Sequence, residues 1–211
     1  MQAKKTEMRR YLDYAANVIL VCVMLAPWTY VGYYVYENGI IGTYITSFNL
    51  RYPIQANAPN DERPTVNLPL KLRQSNWGGG SCVHANMVSL FRWQGRYNTA
   101  NYWRSRYSGG EYPGELARKL NANDIRYAYV TNGDVAFLEW ACSTRRGCGI
   151  TVQGGKHMVT LVHLDDEWAA ILDNNSVSKF QWIPRETLIA EWKASKGWAV
   201  TIIYTPAAPL P

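Results

Sequence analysis

Residues 157–175 read HMVTLVHLDDEWAAILDNN. Two short runs rich in apolar, β-branched and aromatic residues flank an acidic cluster at Asp165, Asp166 and Glu167. That pattern predicts two antiparallel strands joined by a tight turn. Folding the chain there brings Asp173 or Asn174 back beside His157, which opens the first strand. Two similar runs, GITVQ at 149–153 and WAVTIIY at 198–204, extend the sheet. IPRETLIAEWKAS at 183–195 reads as a helix placed before the last strand.

Upstream of 149 the character is mostly helical. Val83, Met87, Leu90 and Phe91 fall at i, i+4, i+7 and i+8, one face of a helix. NTANYWRSRY (98–107) and GELARKLNAN (114–123) predict further helices, and IRYAYV (125–130) a strand. GDVAFLEWAC (133–142) predicts a helix with Asp134 near its start. Helices first and an antiparallel sheet second is an α+β layout.

Before this domain the chain is unlike the rest. A basic tail (1–14) leads into 22 uncharged residues, Ala15–Tyr36. At about 1.5 Å per residue they can cross a hydrocarbon core of about 30 Å. Trp28, Tyr30, Tyr33, Tyr34 and Tyr36 crowd the far end, as an interfacial belt would. With the basic flank on the N-terminal side, the expectation is an anchor in membrane lipid with a cytoplasmic N-terminus. The main domain is then extracytoplasmic, in a periplasm-like compartment. Residues 37–67 read as a connector rich in Pro, Asn and Gly, 68–205 as the domain, and 206–211 as a tail. The net charge of +6 is scattered, without the basic, aromatic-interleaved stripe that would indicate nucleic acid.

The chain has four cysteines. Cys142 and Cys148 bracket a short charged loop and are expected to pair as a disulfide in an oxidising compartment. Cys22 lies in the predicted span, which leaves Cys82 without a partner. Cys82 opens the first helix directly after WGGGS (77–81), where N–H groups and the positive dipole end lower a thiol pKa. His84 is about 200° round that helix and points away. His163 has even spacing from His157, on the same strand face but far along it. His157 is therefore the expected base, with Asp173 or Asn174 orienting its ring. Cys82, His84 and His157 make no metal-ligand spacing, so no metal or cofactor is expected.

A Gln, a helix-opening Cys, a strand-leading His and an acid ending the next strand together resemble the papain-like cysteine peptidases. Within them, the stretches SCVHA, GGKHMVTLV, WAAILDNN and LIAEWKASKGWAVTIIY are most similar to the bacteriocin-processing, double-glycine-type peptidases. The resemblance covers roughly residues 68–205. It implies Cys82 as nucleophile, His157 as general base, Asp173 as orienting acid, and a peptide or protein substrate. The family's oxyanion glutamine usually lies six residues before the cysteine. Here Gln74 lies eight before and Asn76 holds the six-residue position, so both are candidates. Two other expectations stand beside this one. A peptidase-like domain on a single span can serve as a non-catalytic subunit of a membrane complex. A transglutaminase-like acyl transferase uses the same residue types, with a shorter interval between Cys and His.

Overall fold

The computed structural model describes residues 58–59 and 63–204. The predicted basic tail, the span at 15–36, most of the connector and the C-terminal tail lie outside the described residues. Among the described residues, no helix is long and apolar enough to cross a membrane.

Three helices come first: α1 (Cys82–Trp93), α2 (Tyr97–Arg106) and α3 (Pro113–Asn121). They are followed by β1 (Tyr127–Val130), α4 (Val135–Ser143) and β2 (Cys148–Val152). The chain then forms β3 (His157–Leu164), β4 (Trp168–Leu172), β5 (Gln181–Pro184), α5 (Arg185–Ala194) and β6 (Ala199–Ile202). The strands make one antiparallel sheet in the order β1-β6-β2-β3-β4-β5. This is the α+β arrangement expected from the sequence.

Local chemistry sets several boundaries. Pro113 opens α3, where its missing N–H is not needed. Asp134 caps α4 by accepting the Ala136 N–H at 3.1 Å. The apolar face of α1 packs into a core that holds Met87, Leu90 and Phe91 from α1, Trp103 from α2 and Met158 from β3. Every residue of β2 is buried, so α1 and the sheet share one interior.

Two features depart from the sequence reading. Gln181–Pro184 is a strand on the sheet edge, paired with β4, where the sequence predicts a helix from Ile183. An edge position tolerates Pro184, because its outer side needs no donor. The domain also begins earlier than Leu68. Val66 and Leu68 are fully buried with Trp93, Val162, Ala170 and Leu172. Residues 64–67 therefore belong to the fold and not to a connector.

The β3–β4 hairpin contains a β-bulge. Next to the turn, Leu164 pairs with Ala169 and His163 with Ala170. Beyond Val162, Leu161 pairs with Ile171 and Thr160 with Leu172. Val162 is the extra residue, and its carbonyl accepts the Val66 N–H at 2.8 Å. The bulge breaks the alternation, so His163 does not share a face with His157 as its even spacing suggests. His163 instead meets Trp182 edge to face, at 5.1 Å between ring centroids.

Gly197, between α5 and β6, is held at φ 58° against the loop that enters α4. A Cβ there would lie 2.5 Å from Gly133 N and 2.6 Å from Gly133 Cα. Gly197→Ala is expected to cost at least about 2 kcal/mol and lower Tm by roughly 4–8 °C. A thermal melt checks this, and an unchanged Tm would mean that the two loops separate freely.

Candidate active site

The glycine run before α1 has two parts. A side chain at Gly78 or Gly79 would enter open space. Gly80 differs: its φ is 79°, and a Cβ would sit 2.7 Å from Gly110 N. One backbone lies directly on another there, and only glycine permits it.

Ser81 occupies the N-cap position of α1 without capping it. Its hydroxyl donates to Asn76 Oδ1 and accepts the Trp77 N–H at 3.1 Å. Ser81 thus leaves the first-turn N–H groups of α1 to other partners. Cys82, the first residue of α1, is 7% exposed. Burial pushes its thiol up. The hydrogen bond and charge of His157, with the N–H groups of Met158 and Val83, outweigh burial and bring it below the ordinary thiol value.

His157 opens β3 and is buried. Its Nε2 lies 2.9 Å from Asp173 Oδ1. With Nε2 donating to that carboxylate, Nδ1 is the nitrogen left to face Cys82. Burial lowers the imidazole pKa. Asp173 and Cys82 reverse this and raise it to about 9. Asp173 Oδ1 also accepts the Asn175 N–H at 2.9 Å, which fixes the carboxylate from behind.

The bulge decides which residue meets His157. Continued without it, the register near the turn would set Asp173 opposite Thr160, on the face turned away from His157. Asn174 would then come round in its place. The extra residue shifts the phase by one and carries Asp173 to the His157 side. The Val66 strap pins this bulge through its bond to Val162.

Two buried asparagines hold the site together and were not anticipated. Asn86 Nδ2 donates to Cys82 O and to Met158 O, each at 2.9 Å. Its Oδ1 accepts from the Thr160 hydroxyl. Asn174 Nδ2 donates to Met158 O at 2.7 Å and approaches Cys82 O at 3.4 Å. A signal for Asn86 was present in the sequence: it is a polar residue one helical turn after Cys82 and so on the same side of the helix.

The two oxyanion candidates part company. The Gln74 side chain turns back on its own loop, with Nε2 donating to Ser75 O at 2.9 Å. Asn76 is tied to the site, since its N–H donates to Asn174 O at 2.8 Å. Because Ser81 holds its Oδ1, its Nδ2 faces outward and reaches the exposed Asn175 Oδ1 at 3.2 Å.

The expected Cys142–Cys148 disulfide is not formed. Both thiols are free and buried. The turn from α4 into β2 directs both into the interior, where burial pushes Cys142 to about 12 and Cys148 well above its ordinary value. His84 points away from Cys82, as expected, but into the core. Trp103 Nε1 donates to its Nδ1 at 3.2 Å. Burial, reinforced by the Lys119 charge, lowers its pKa to about 4. Among the described residues, no group of three or more His, Cys, Asp or Glu could hold a metal ion.

No family model matches the sequence, and no curated protein matches it. Solved structures do. A Bacillus anthracis protein assigned as a C39-like peptidase matches with a TM-score of 0.51 and 14% identity, over 68% of this chain and 98% of that one. A double glycine motif protease from an AMS/PCAT transporter, crystallised with the leader peptide, matches with a TM-score of 0.43 and 15% identity. That match covers 59% of this chain and 85% of that one. The first of the two is close enough for the overall fold to be shared. The described domain has a C39-like peptidase fold.

The raised pKa of His157 makes stability depend on pH. The ring holds its proton up to about pH 9 in the folded chain, but only to about 6.5 when unfolded. Its stabilising contribution is therefore complete below about 6.5 and lost as pH rises through about 9. Asp173→Asn removes the main cause of the rise. The advantage of wild type over this variant, read from melts between pH 6 and 10, is expected to shrink as pH passes 9. A pH-independent difference would mean that the carboxylate does not hold the proton on His157.

Proposed function

We propose that this chain is a cysteine peptidase whose relay is Cys82, His157 and Asp173. The observation that carries the proposal is the junction of the three side chains: a thiol drawn below its ordinary pKa, an imidazole raised to about 9, and a carboxylate 2.9 Å behind that imidazole. A thiolate beside an imidazolium is the ground state of a thiol nucleophile at neutral pH.

In this reading the Cys82 thiolate attacks the carbonyl carbon of a peptide bond. His157 Nδ1 gives its proton to the leaving amine, and the acyl group stays on sulfur. His157 then takes a proton from water, which attacks the thioester and releases the acid. Asp173 holds the ring and its tautomer throughout. The developing oxyanion is met by the Cys82 N–H at the start of α1 and by Asn76 Nδ2, whose direction Ser81 fixes. The hydropathy of residues 15–36 supports attachment of this domain to a membrane, with an extracytoplasmic peptide or protein as its substrate.

A second reading draws on Gln74. Its side-chain N–H is spent on Ser75 O, and this favours a peptidase-like domain that binds without cleaving.

Iodoacetamide separates these readings. Cys82 is expected to alkylate readily at pH 6, where a free thiol with a pKa of about 8.5 is almost wholly protonated. His157→Ala should slow this at least about tenfold, the effect of one unit of thiol pKa. A wild-type Cys82 that reacts as a free thiol would end the peptidase reading. If the oxyanion assignment holds, Asn76→Ala should lower kcat by about 10²-fold on any peptide that is cleaved. Gln74→Ala should leave it near wild type, and the reverse ranking would reassign the donor.

A further inference from the structure

The turn that delivers His157 has an unfavourable backbone. Gln153, Gly154 and Gly155 take φ values of 56°, 64° and 85°. Glycine enters this region freely, but a residue with a Cβ pays about 1–2 kcal/mol. Strain of that kind persists only where the surroundings impose it. Here the end of α5 imposes it.

Consecutive N–H groups in such a turn form a concavity suited to an anion. In this chain the anion is a side chain of the protein. Glu191 Oε1 accepts the Gln153 N–H at 2.7 Å. The Gly154 N–H donates to Ser195 Oγ at 2.9 Å. That hydroxyl lies 3.2 Å from Glu191 Oε1, to which it donates. On the β2 side, Thr151 Oγ1 donates to Ser195 O at 2.7 Å. One turn of α5 therefore grips the loop and the strand that enters it.

The grip bears on the site through the chain itself. Val152 pairs with His157 across the turn, and β3 begins at His157. The backbone of His157 is placed by the turn, and Asp173 holds only the ring nitrogen facing away from Cys82.

We propose that Glu191 is a positioning residue: with Ser195 it clamps the Gln153–Lys156 turn in its left-handed form and so sets the His157 ring against Cys82. Glu191 acts from α5, through the turn and not by contact with the substrate. The proposal rests on the peptidase reading of the Cys82–His157 pair.

The test is the pH dependence of Cys82 alkylation by iodoacetamide in the full chain, followed on the Cys82 peptide by mass spectrometry. Wild type, Glu191→Gln and Glu191→Ala are compared. Glutamine keeps an acceptor oxygen for the Gln153 N–H, so its profile is expected to stay close to wild type. Alanine removes the clamp. Its profile is expected to move toward that of a free thiol, with a rate at pH 6 about tenfold lower, equivalent to one unit of thiol pKa. A folded Glu191→Ala protein with the wild-type profile overturns the proposal. So does an equal shift in both variants, which would point to the charge and not to the clamp. Should Glu191→Ala fail to fold, Ser195→Ala carries the test, since it removes the Gly154 acceptor and leaves the carboxylate. A smaller shift in the same direction supports the proposal, and a wild-type profile overturns it. If wild type itself behaves as a free thiol, the peptidase reading fails first and this inference falls with it.

Discussion

Two buried carboxamides join the parts of this domain. Asn86, on the helix that carries the nucleophile candidate, and Asn174, just past β4, both direct their N–H groups at the carbonyls of Cys82 and Met158. Cys82 belongs to the helical half, while Met158 follows His157 in the sheet. A buried carbonyl left without a donor costs about 1–3 kcal/mol. The two halves are therefore held in one alignment by groups that have no better place to bond. Apolar packing around Met87 and Met158 brings α1 to the sheet, but packing tolerates sliding. The amides do not, because their bonds have direction.

The same burial leads to two opposite outcomes at three places in one protein. Cys142 and Cys148 are enclosed together, and burial, with the charge of Cys142 adding to it at Cys148, keeps them as thiols. His84 is enclosed 3.4 Å from a Glu111 oxygen that already pairs with Lys119, and burial with the Lys119 charge keeps it neutral. Cys82 and His157 are enclosed with each other and with Asp173, and there both shifts run toward the charged forms. Burial opposes charge at all three places. What differs is whether a complementary group and well-aimed donors are also present.

Much of this was legible in the sequence because the signals are local. The spacing of Val83, Met87, Leu90 and Phe91 marks α1, and the apolar runs around Asp165–Glu167 mark the hairpin. That Asp173 or Asn174 returns beside His157 followed from that hairpin. The choice between Asp173 and Asn174 did not, because it depends on the bulge at Val162, and one extra residue leaves no mark on an apolar run. Val66, whose N–H bonds the bulge, lies in a stretch whose composition suggests only a linker. Gln181–Pro184 is too short to establish a period and ends in proline. The disulfide expectation rested on chain spacing and compartment, and neither reveals that both thiols turn inward. Spacing alone could not show that Ser81 holds the Asn76 carboxamide while the Gln74 side chain bonds its own loop.

The contact between Gly80 and Gly110 has a consequence for how such a sequence can change over time. The loop before Cys82 and the loop before α3 touch through their main chains: a Cβ at Gly80 would stand 2.7 Å from Gly110 N, whereas one at Gly110 would meet nothing within 4 Å. The first loop cannot acquire a side chain at Gly80 unless the second withdraws. Gly78 and Gly79, facing open space, are free to drift. Among descendants of this chain Gly78 and Gly79 should vary, while Gly80 should be kept for as long as the loop before α3 stays against it. A run of three glycines that looks uniform on paper thus carries one inherited obligation and two accidents.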